Sequence, residues 1–225
     1  MRCIRLLGVL LFSFSALHAA IHKETAPLGT YLTVPADAKT VIIDPGHGST
    51  DLGARTHSPY TEEKRLCLQT ARLLKQYLSQ LGYRVVMTRS TDAFVSLPRR
   101  VELAGQASGD LFVSIHYNSS RVPSAHGVEV FFSDNGEDRT RAAASRRLAS
   151  SVLQRVIRAT DAKSRGVKKG NFYVIRENTM PAILVEGGFL TNPEERDLLR
   201  SRDYQEKIAR GIADGVDHFF RKMKE

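Results

Sequence analysis

Three mainly apolar runs, each followed closely by a histidine or a glutamate, constrain the fold of this chain more than any other feature. They are residues 41–43 before His47, residues 111–115 before His116, and residues 183–185 before Glu186. Short runs of Val, Ile, Leu and Phe are typical of strands that are buried on both faces of a parallel sheet. In open α/β sheets, ligands bind at the carboxyl ends of such strands. The pattern therefore predicts an α/β fold with a site at one edge of the sheet.

Helices are predicted between the strands, from apolar residues at helical spacing and from residues that begin or end helices. The helical segments are residues 62–81, residues 96–106 with Ser96 as the N-cap, residues 140–160, and a closing segment near residues 204–220. Further strands are predicted at residues 83–88, 127–132 and 172–176. This alternation favours a single-domain α/β sandwich, with a mainly parallel central sheet and helices on both faces. We assign the domain to residues 40–222.

Residues 1–20 have the composition of a secretory signal peptide. Arg2 and Arg5 precede an uncharged run at residues 6–17, and small residues follow near Ala20. A permanent membrane anchor is the alternative, but the run is shorter than the about 20 residues that a spanning helix needs. We therefore expect export to the periplasm or cell envelope, no stable membrane insertion after cleavage, and a short polar leader at residues 21–39.

The chain is basic, with 33 Lys and Arg residues against 24 Asp and Glu residues and a net charge of +9. A basic exported protein favours anionic partners, which include nucleic acids, membrane surfaces and wall polymers that carry carboxylates. No nucleic-acid-binding motif is present in the sequence, so we expect no nucleic-acid partner.

Two imidazoles and nearby carboxylates at one sheet edge have the composition of a catalytic zinc site. Such sites use three protein ligands and leave the fourth position to water. Candidate acids are Glu62 and Glu63 at the start of the first helix, where the helix dipole also favours carboxylates. Glu186 stands between an apolar strand and a pair of glycines, where burial would raise its pKa toward that of a general base. These residues predict a metal-dependent hydrolase.

Four motifs occur in order along the chain: VIIDPGHG, VSIHYN, NFYVIR and VEGGFLTNPEE, with an acid before Lys64 at a helix start. With these motifs, the chain resembles the zinc-dependent N-acetylmuramoyl-L-alanine amidases of the LytC and AmiC type from about residue 40 to residue 220. The resemblance implies that His47, Glu63 and His116 bind one zinc ion and that Glu186 is the catalytic glutamate. It also implies that peptidoglycan is the substrate. Glu62 remains a second choice for the ligand from the helix.

The resemblance implies hydrolysis of the amide between N-acetylmuramic acid and the L-alanine of the stem peptide by zinc-activated water. Two alternatives stay open: a zinc peptidase that cuts within the stem, and an inactive module that binds or regulates the wall. A third comes from Ser133, Asp134 and Asn135, which match an element of penicillin-binding serine enzymes, although no SxxK or KTG partner occurs in the sequence. The sequence assigns no substrate-binding residue and no activating protein partner.

The segment between His116 and Asn171 is short and is predicted to hold one helix. Relatives that are regulated by an inserted helix carry more sequence there. We therefore expect a site without such a plug.

Overall fold

A six-stranded mixed sheet forms the centre of the fold in the computed structural model, which describes Pro35, residues 37–134 and residues 138–223. The strands are β1 (Thr40–Pro45), β2 (Arg55–His57), β3 (Tyr60–Glu62), β4 (Arg84–Met87), β5 (Leu111–Asn118), β6 (Val128–Phe132), β7 (Ser164–Lys169) and β8 (Ala182–Phe189). Their order across the sheet is β4-β1-β5-β8-β6-β7, while β2 and β3 form a separate antiparallel hairpin. The neighbours β4, β1, β5 and β8 run parallel, whereas β6 and β7 run in the opposite direction. The predicted mainly parallel sheet is therefore confirmed.

Helices cover both faces of the sheet, as the sequence predicts. They are α1 (Glu63–Gln80), α2 (Leu97–Gln106), α3 (Arg139–Thr160), α4 (Tyr173–Arg176), α5 (Pro193–Arg200) and α6 (Arg202–Lys222). One face carries α1, α3 and α6, whose apolar side chains pack with Val41, Ile43 and Val113. The other face carries α2 and α4, which pack on Ile42 and Phe112. Because successive strand residues point to opposite faces, β1 and β5 are buried on both sides, which explains their apolar sequences.

Residues 172–176 contain the short helix α4 where the sequence predicts a strand, so that prediction is wrong. Val174 and Ile175 are adjacent in the chain and both buried, and they pack under the sheet within one helical turn. Side chains complete the hydrogen bonding of this turn, because Asn178 donates to the Val174 carbonyl and Arg141 donates to the Ile175 carbonyl. A short apolar run does not by itself distinguish a strand from a buried helical turn.

The edge strand β7 was not predicted by any sequence pattern. Its sequence, SRGVKK, contains no apolar run, and its residues are exposed or half-buried. An edge strand pairs on one side, and charged side chains on it discourage pairing with other chains. These residues therefore form a strand because they pair with β6, and their sequence has no hydrophobic pattern that would predict it.

The helices and strands run from Thr40 to Lys222. The predicted signal peptide at residues 1–20 and most of the leader at residues 21–39 lie outside the described residues. Within the part of the chain that the structure describes, no helix combines the length and the apolar composition that crossing a bilayer requires. Between His116 and Asn171, the described residues contain one α-helix, α3, in agreement with the sequence.

Candidate active site

Two imidazoles and one carboxylate meet at the carboxyl ends of β1 and β5. The Nε2 atom of His47 lies 3.0 Å from Oε1 of Glu63, and the Nδ1 atom of His116 lies 2.9 Å from the same oxygen. One potential ligand atom from each of the three residues lies within 4.8 Å of the others. Nitrogen and oxygen ligands of this kind bind zinc in catalytic sites. The structure thus brings together the three residues that the sequence suggests as metal ligands, and together they could hold an ion.

The register of the sheet explains why the two histidines are neighbours. β1 and β5 are parallel and Pro45 is paired with Ile115, so the chain leaves both strands at the same edge. His116 is the next residue of β5, whereas His47 follows Gly46 and has a positive φ of 58°. A positive φ is uncommon outside glycine and often marks a backbone that is held by its surroundings at a functional site. The two rings lie edge to face, with centroids 4.8 Å apart.

The start of α1 supplies the carboxylate. Glu63 is the first residue of this helix, and its Oε2 accepts a hydrogen bond from the amide of Ala54 at 2.8 Å. Its Oε1 accepts a hydrogen bond from the amide of Tyr117 at 3.1 Å. Two backbone amides, one from the loop after β1 and one from β5, therefore orient this side chain toward the imidazoles.

The neighbouring Glu62 has different partners. It accepts a hydrogen bond from the Tyr60 hydroxyl at 2.5 Å and pairs with Arg65 at 2.7 Å. Of the two acids that the sequence offers as the helix ligand, Glu63 is the one that lies with the two histidines.

Opposite charges in the cluster shift the pKa values of its members. Burial raises the pKa of Glu63, but hydrogen bonds from His116 and His47 outweigh burial and hold this pKa well below its usual value. Burial lowers the pKa of His47, while the carboxylates of Glu63 and Asp51 raise it by more, so the net shift is upward. Glu63 is therefore ionised near neutral pH, which is the form that binds a cation.

Asp51 is a residue of the site that the sequence analysis missed. Its Oδ1 lies 2.9 Å from Nδ1 of His47 and accepts a hydrogen bond from the Gly53 amide. In a neutral ring with its proton on Nδ1, Nε2 would be free to bind a metal ion. A carboxylate on the far nitrogen fixes the tautomer and the orientation of a metal-binding histidine. The spacing of four residues from His47, in a loop rich in Gly and Ser, is the one sequence signal for this role.

Asp44 holds the backbone of His47 in place through a buried arginine. Its carboxylate accepts hydrogen bonds from Thr88, Ser114 and Arg100 at 2.6, 2.8 and 2.7 Å. Arg100 in turn donates to the carbonyl of His47 at 2.8 Å. Removing one partner of a buried ion pair leaves the other charge uncompensated and typically costs about 3–5 kcal/mol, so the loss of either residue is expected to disturb this loop.

Arg89 ties the loop after β1 to the first turn of α1. Its guanidinium donates to the carbonyls of Pro45, Gly46 and Lys64 at 3.0, 2.6 and 2.9 Å. A guanidinium has five N–H donors in a fixed plane, so one side chain can hold three carbonyls at once. This contact fixes the distance between the loop that carries His47 and the helix that carries Glu63.

Glu186 lies beside the cluster on β8. It is paired in register with His116, so its side chain extends from the same face of the sheet as the imidazole. Its Oε2 atom is buried and has no hydrogen-bond partner among the described residues. Burial, together with the negative charges of Glu63 and Glu129, raises the pKa of Glu186 well above its usual value. A raised pKa makes the carboxylate a better proton acceptor than an ordinary glutamate, which is a property of a general base.

The residues of the serine-enzyme alternative lie elsewhere. Ser133 follows the end of β6 that is paired with the start of β8, whereas Glu186 lies further along that strand. Ser133 is buried, and Asp134 forms an ion pair with Lys169. Asn135 lies outside the described residues.

Replacement of Gly46 by alanine is expected to disturb the cluster and destabilise the fold. A Cβ atom there would lie 2.3 Å from Cε1 of His116, so the ring or the loop would have to move. Overpacking of this kind costs about 1–3 kcal/mol.

The matched change is Gly105→Ala in α2, where an added Cβ atom meets nothing within 4 Å. This variant is expected to gain up to about 1 kcal/mol, because alanine is the better helix former. Urea denaturation measures the free energy of unfolding of both variants. An unchanged value for Gly46→Ala would contradict the close approach of the ring to the loop.

Comparison with known proteins gives matches over most of the chain. The family described as N-acetylmuramoyl-L-alanine amidase matches residues 41–218. The chain is 40% identical over 186 residues to the uncharacterized protein YqiI of Bacillus subtilis (strain 168), which covers 83% of this chain and 87% of that protein. It is 36% identical over 187 residues to the N-acetylmuramoyl-L-alanine amidase LytC of the same strain, which covers 83% of this chain and 36% of LytC. The solved structure of an N-acetylmuramoyl-L-alanine amidase from Clostridium difficile 630 is similar, with 37% identity, a TM-score of 0.78, and coverage of 83% of this chain and 98% of that chain.

Proposed function

The chain belongs to the N-acetylmuramoyl-L-alanine amidase family, and from this membership we propose that it hydrolyses the amide between N-acetylmuramic acid and the L-alanine of the peptidoglycan stem peptide. The observation that carries the proposal is the meeting of His47, Glu63 and His116 beside the unsatisfied carboxyl group of Glu186. Amide hydrolysis needs a polarised carbonyl, an activated water molecule and a proton for the leaving nitrogen. This edge of the sheet carries groups suited to each task.

His47, Glu63 and His116 would hold one zinc ion. Two neutral imidazoles and one carboxylate match the ligand sets of catalytic zinc sites, and members of the family are generally zinc-dependent. When bound, zinc supplies Lewis-acid chemistry, which lowers the pKa of water and polarises a carbonyl oxygen. Two backbone amides orient Glu63 for this role, and Asp51 orients His47.

Glu186 is the proposed proton carrier. Its carboxylate accepts a proton from the water molecule whose oxygen forms the new bond to the scissile carbonyl carbon. It then donates that proton to the nitrogen of L-alanine as the carbon–nitrogen bond breaks. The products are a stem peptide with a free amino group and a sugar with a free lactyl carboxyl group. The raised pKa of Glu186 suits this role, because it makes the carboxylate a stronger base than an ordinary glutamate.

Export is part of this proposal, because peptidoglycan lies outside the cytoplasm. Residues 1–20 would direct the chain out of the cell as a signal peptide, and residues 21–39 would form a leader before the catalytic domain of residues 40–222. The partner is then peptidoglycan, with no nucleic acid and no stable membrane insertion after cleavage.

Digestion of isolated peptidoglycan tests which bond is cut. The proposal predicts soluble stem peptides that begin with L-alanine and carry a free amino group, together with glycan strands that have lost their peptides. A zinc peptidase would leave shortened stems on the sugar, and an inactive wall-binding module would release nothing. Mass spectrometry of the soluble and glycan fractions distinguishes the three results, and either of the last two would contradict the proposal.

A further inference from the structure

Next to Glu186, the structure holds a charged cluster with two cations that the proposed hydrolysis does not use. The buried Oε2 of Glu129 accepts one hydrogen bond from Nε of Arg165 at 2.8 Å and another from Nζ of Lys168 at 2.5 Å. The other oxygen of Glu129 accepts a hydrogen bond from the side-chain amide of Asn118 at 2.7 Å. We call Glu129, Arg165 and Lys168 the basic cluster.

The register of the sheet places the basic cluster in line with the proposed catalytic residue. Glu186 is paired with His116 of β5 on one side and with Glu129 of β6 on the other. Paired residues of neighbouring strands point to the same face, so these three side chains form one row. Arg165 lies on β7 where its pairing with β6 shifts register near Glu129. The basic cluster therefore continues the row toward the edge of the sheet.

The basic cluster holds more positive charge than its acid neutralises. Arg165 and Lys168 contribute two positive charges and Glu129 contributes one negative charge, which leaves a net charge of +1. The side chain of Glu129 is 5% exposed, whereas those of Arg165 and Lys168 are 30% and 39% exposed. The buried carboxylate thus holds the two cationic groups in place through ion pairs, while both cationic side chains remain partly exposed to solvent.

Arg165 keeps a hydrogen-bond donor that no acceptor in the described part of the chain uses. Its Nε donates to Glu129 and its Nη1 donates to the carbonyl of His126 at 3.3 Å, which leaves Nη2 without an acceptor there. The guanidinium also lies 4.7 Å from the centroid of the Phe189 ring, which restricts its orientation. An oriented, partly exposed guanidinium beside an ammonium group is suited to binding a carboxylate.

We propose that Arg165 and Lys168 bind a carboxylate of the stem peptide while its amide bond is cut. This inference rests on the proposed function, because it takes the stem peptide as the ligand. Neighbouring strands are about 4.8 Å apart, so β7 lies about 10 Å from β8 across β6. An extended peptide advances about 3.5 Å per residue, so a carboxylate two to three residues beyond the scissile amide would reach the basic cluster.

Two matched substrates test this carboxylate subsite: a muramyl peptide with free carboxylates on its stem, and the same compound with those carboxylates converted to amides. In the double variant Arg165→Gln/Lys168→Gln, KM for the acidic stem is expected to rise about tenfold or more, because charge-assisted hydrogen bonds are lost. KM for the amidated stem is expected to stay at the wild-type value. Any change in kcat is expected to be the same for both substrates, because an effect of the unpaired Glu129 on Glu186 does not depend on the stem carboxylates.

Lys169→Gln is the matched control for the double variant. It removes a positive charge from the same strand, at a residue that pairs with Asp134. Its KM values are expected to equal those of the wild type with both substrates. Equal increases of KM for the acidic and the amidated stem in the double variant would overturn the proposal.

A purely structural role for the two cations predicts a different pattern, because their removal would leave the buried Glu129 unpaired near Glu186. In that case, adding Glu129→Gln to the double variant would restore KM for the acidic stem, and this result would also overturn the proposal. A carboxylate-binding role predicts no restoration, since the triple variant still lacks both cations. Circular dichroism of each variant establishes that the fold is retained.

Binding measurements separate a failure of the subsite from a failure of the proposed function. Calorimetric titration with the free stem peptide, acidic or amidated, needs no catalysis. One outcome is that the wild type cuts no muramyl amide but binds the acidic peptide more tightly than the amidated one, and that the double variant binds both equally. This outcome would contradict the proposed function and support the carboxylate subsite. If the wild type cuts the amide but binds both peptides equally, the subsite alone fails.

Discussion

The variant Glu186→Gln is expected to lower kcat by about 10²- to 10⁴-fold while its zinc content stays at the wild-type level. Glutamine has nearly the size of glutamate but cannot accept and return a proton, so the site keeps its shape and loses its proton carrier. Glu186 is also outside the group of residues whose atoms converge as potential metal ligands. Steady-state kinetics on a soluble muramyl peptide and metal analysis of the same sample measure both quantities.

Glu194→Gln is the matched control for this experiment, because Glu194 is an exposed residue in the first turn of α5. Its kcat is expected to equal that of the wild type. If Glu186→Gln also had the wild-type kcat, another group would have to carry the proton and the proposed role of Glu186 would be wrong.

The variant Glu63→Gln is expected to weaken zinc binding by more than about 100-fold and to lose measurable hydrolysis. Replacing residues that only orient metal ligands already costs about 10- to 100-fold in metal affinity, and Glu63 would supply a ligand atom itself. The change also removes the negative charge that faces both His47 and His116. Competition with a chelator of known affinity measures the dissociation constant for zinc.

The adjacent residue provides the control, because Glu62→Gln makes the same chemical change one position earlier. Glu62 contacts Tyr60 and Arg65, so its replacement is expected to leave both zinc affinity and activity near the wild-type values. Equal losses of zinc affinity and activity in the two variants would mean that any replacement at the start of α1 impairs the site. That result would contradict the role of Glu63 as a metal ligand.

The polar residues at the ends of the apolar runs were predictable, because a buried strand needs no polar side chain there and its presence therefore indicates a function. His116 and Glu186 each follow a mainly apolar run within a buried strand, so the hydrophobic pattern is interrupted where function requires a polar group. The parallel pairing of β5 with β8 then makes these two residues neighbours. The choice of Glu63 over Glu62 needed the resemblance to a family as well, because both acids suit a helix start equally.

The partners of these residues were not predictable, because they depend on contacts between distant parts of the chain. Glu129 lies beside Glu186 because β6 runs antiparallel next to β8, and no local pattern encodes that arrangement. Asp51 is one of several polar residues in its loop, and its contact with His47 arises from the path of the turn. The error at residues 172–176 has the same origin, since packing under the sheet decides between a strand and a helical turn.

The zinc content of the purified wild-type chain is the most direct test of the proposed site. Inductively coupled plasma mass spectrometry, combined with an activity measurement before and after dialysis against a chelator, gives the metal bound per chain. We predict about one zinc ion per chain, held at the His47, Glu63 and His116 cluster, whose removal abolishes hydrolysis and whose return restores it. A chain that still hydrolyses muramyl peptide at the full rate after all metal has been removed would contradict this prediction.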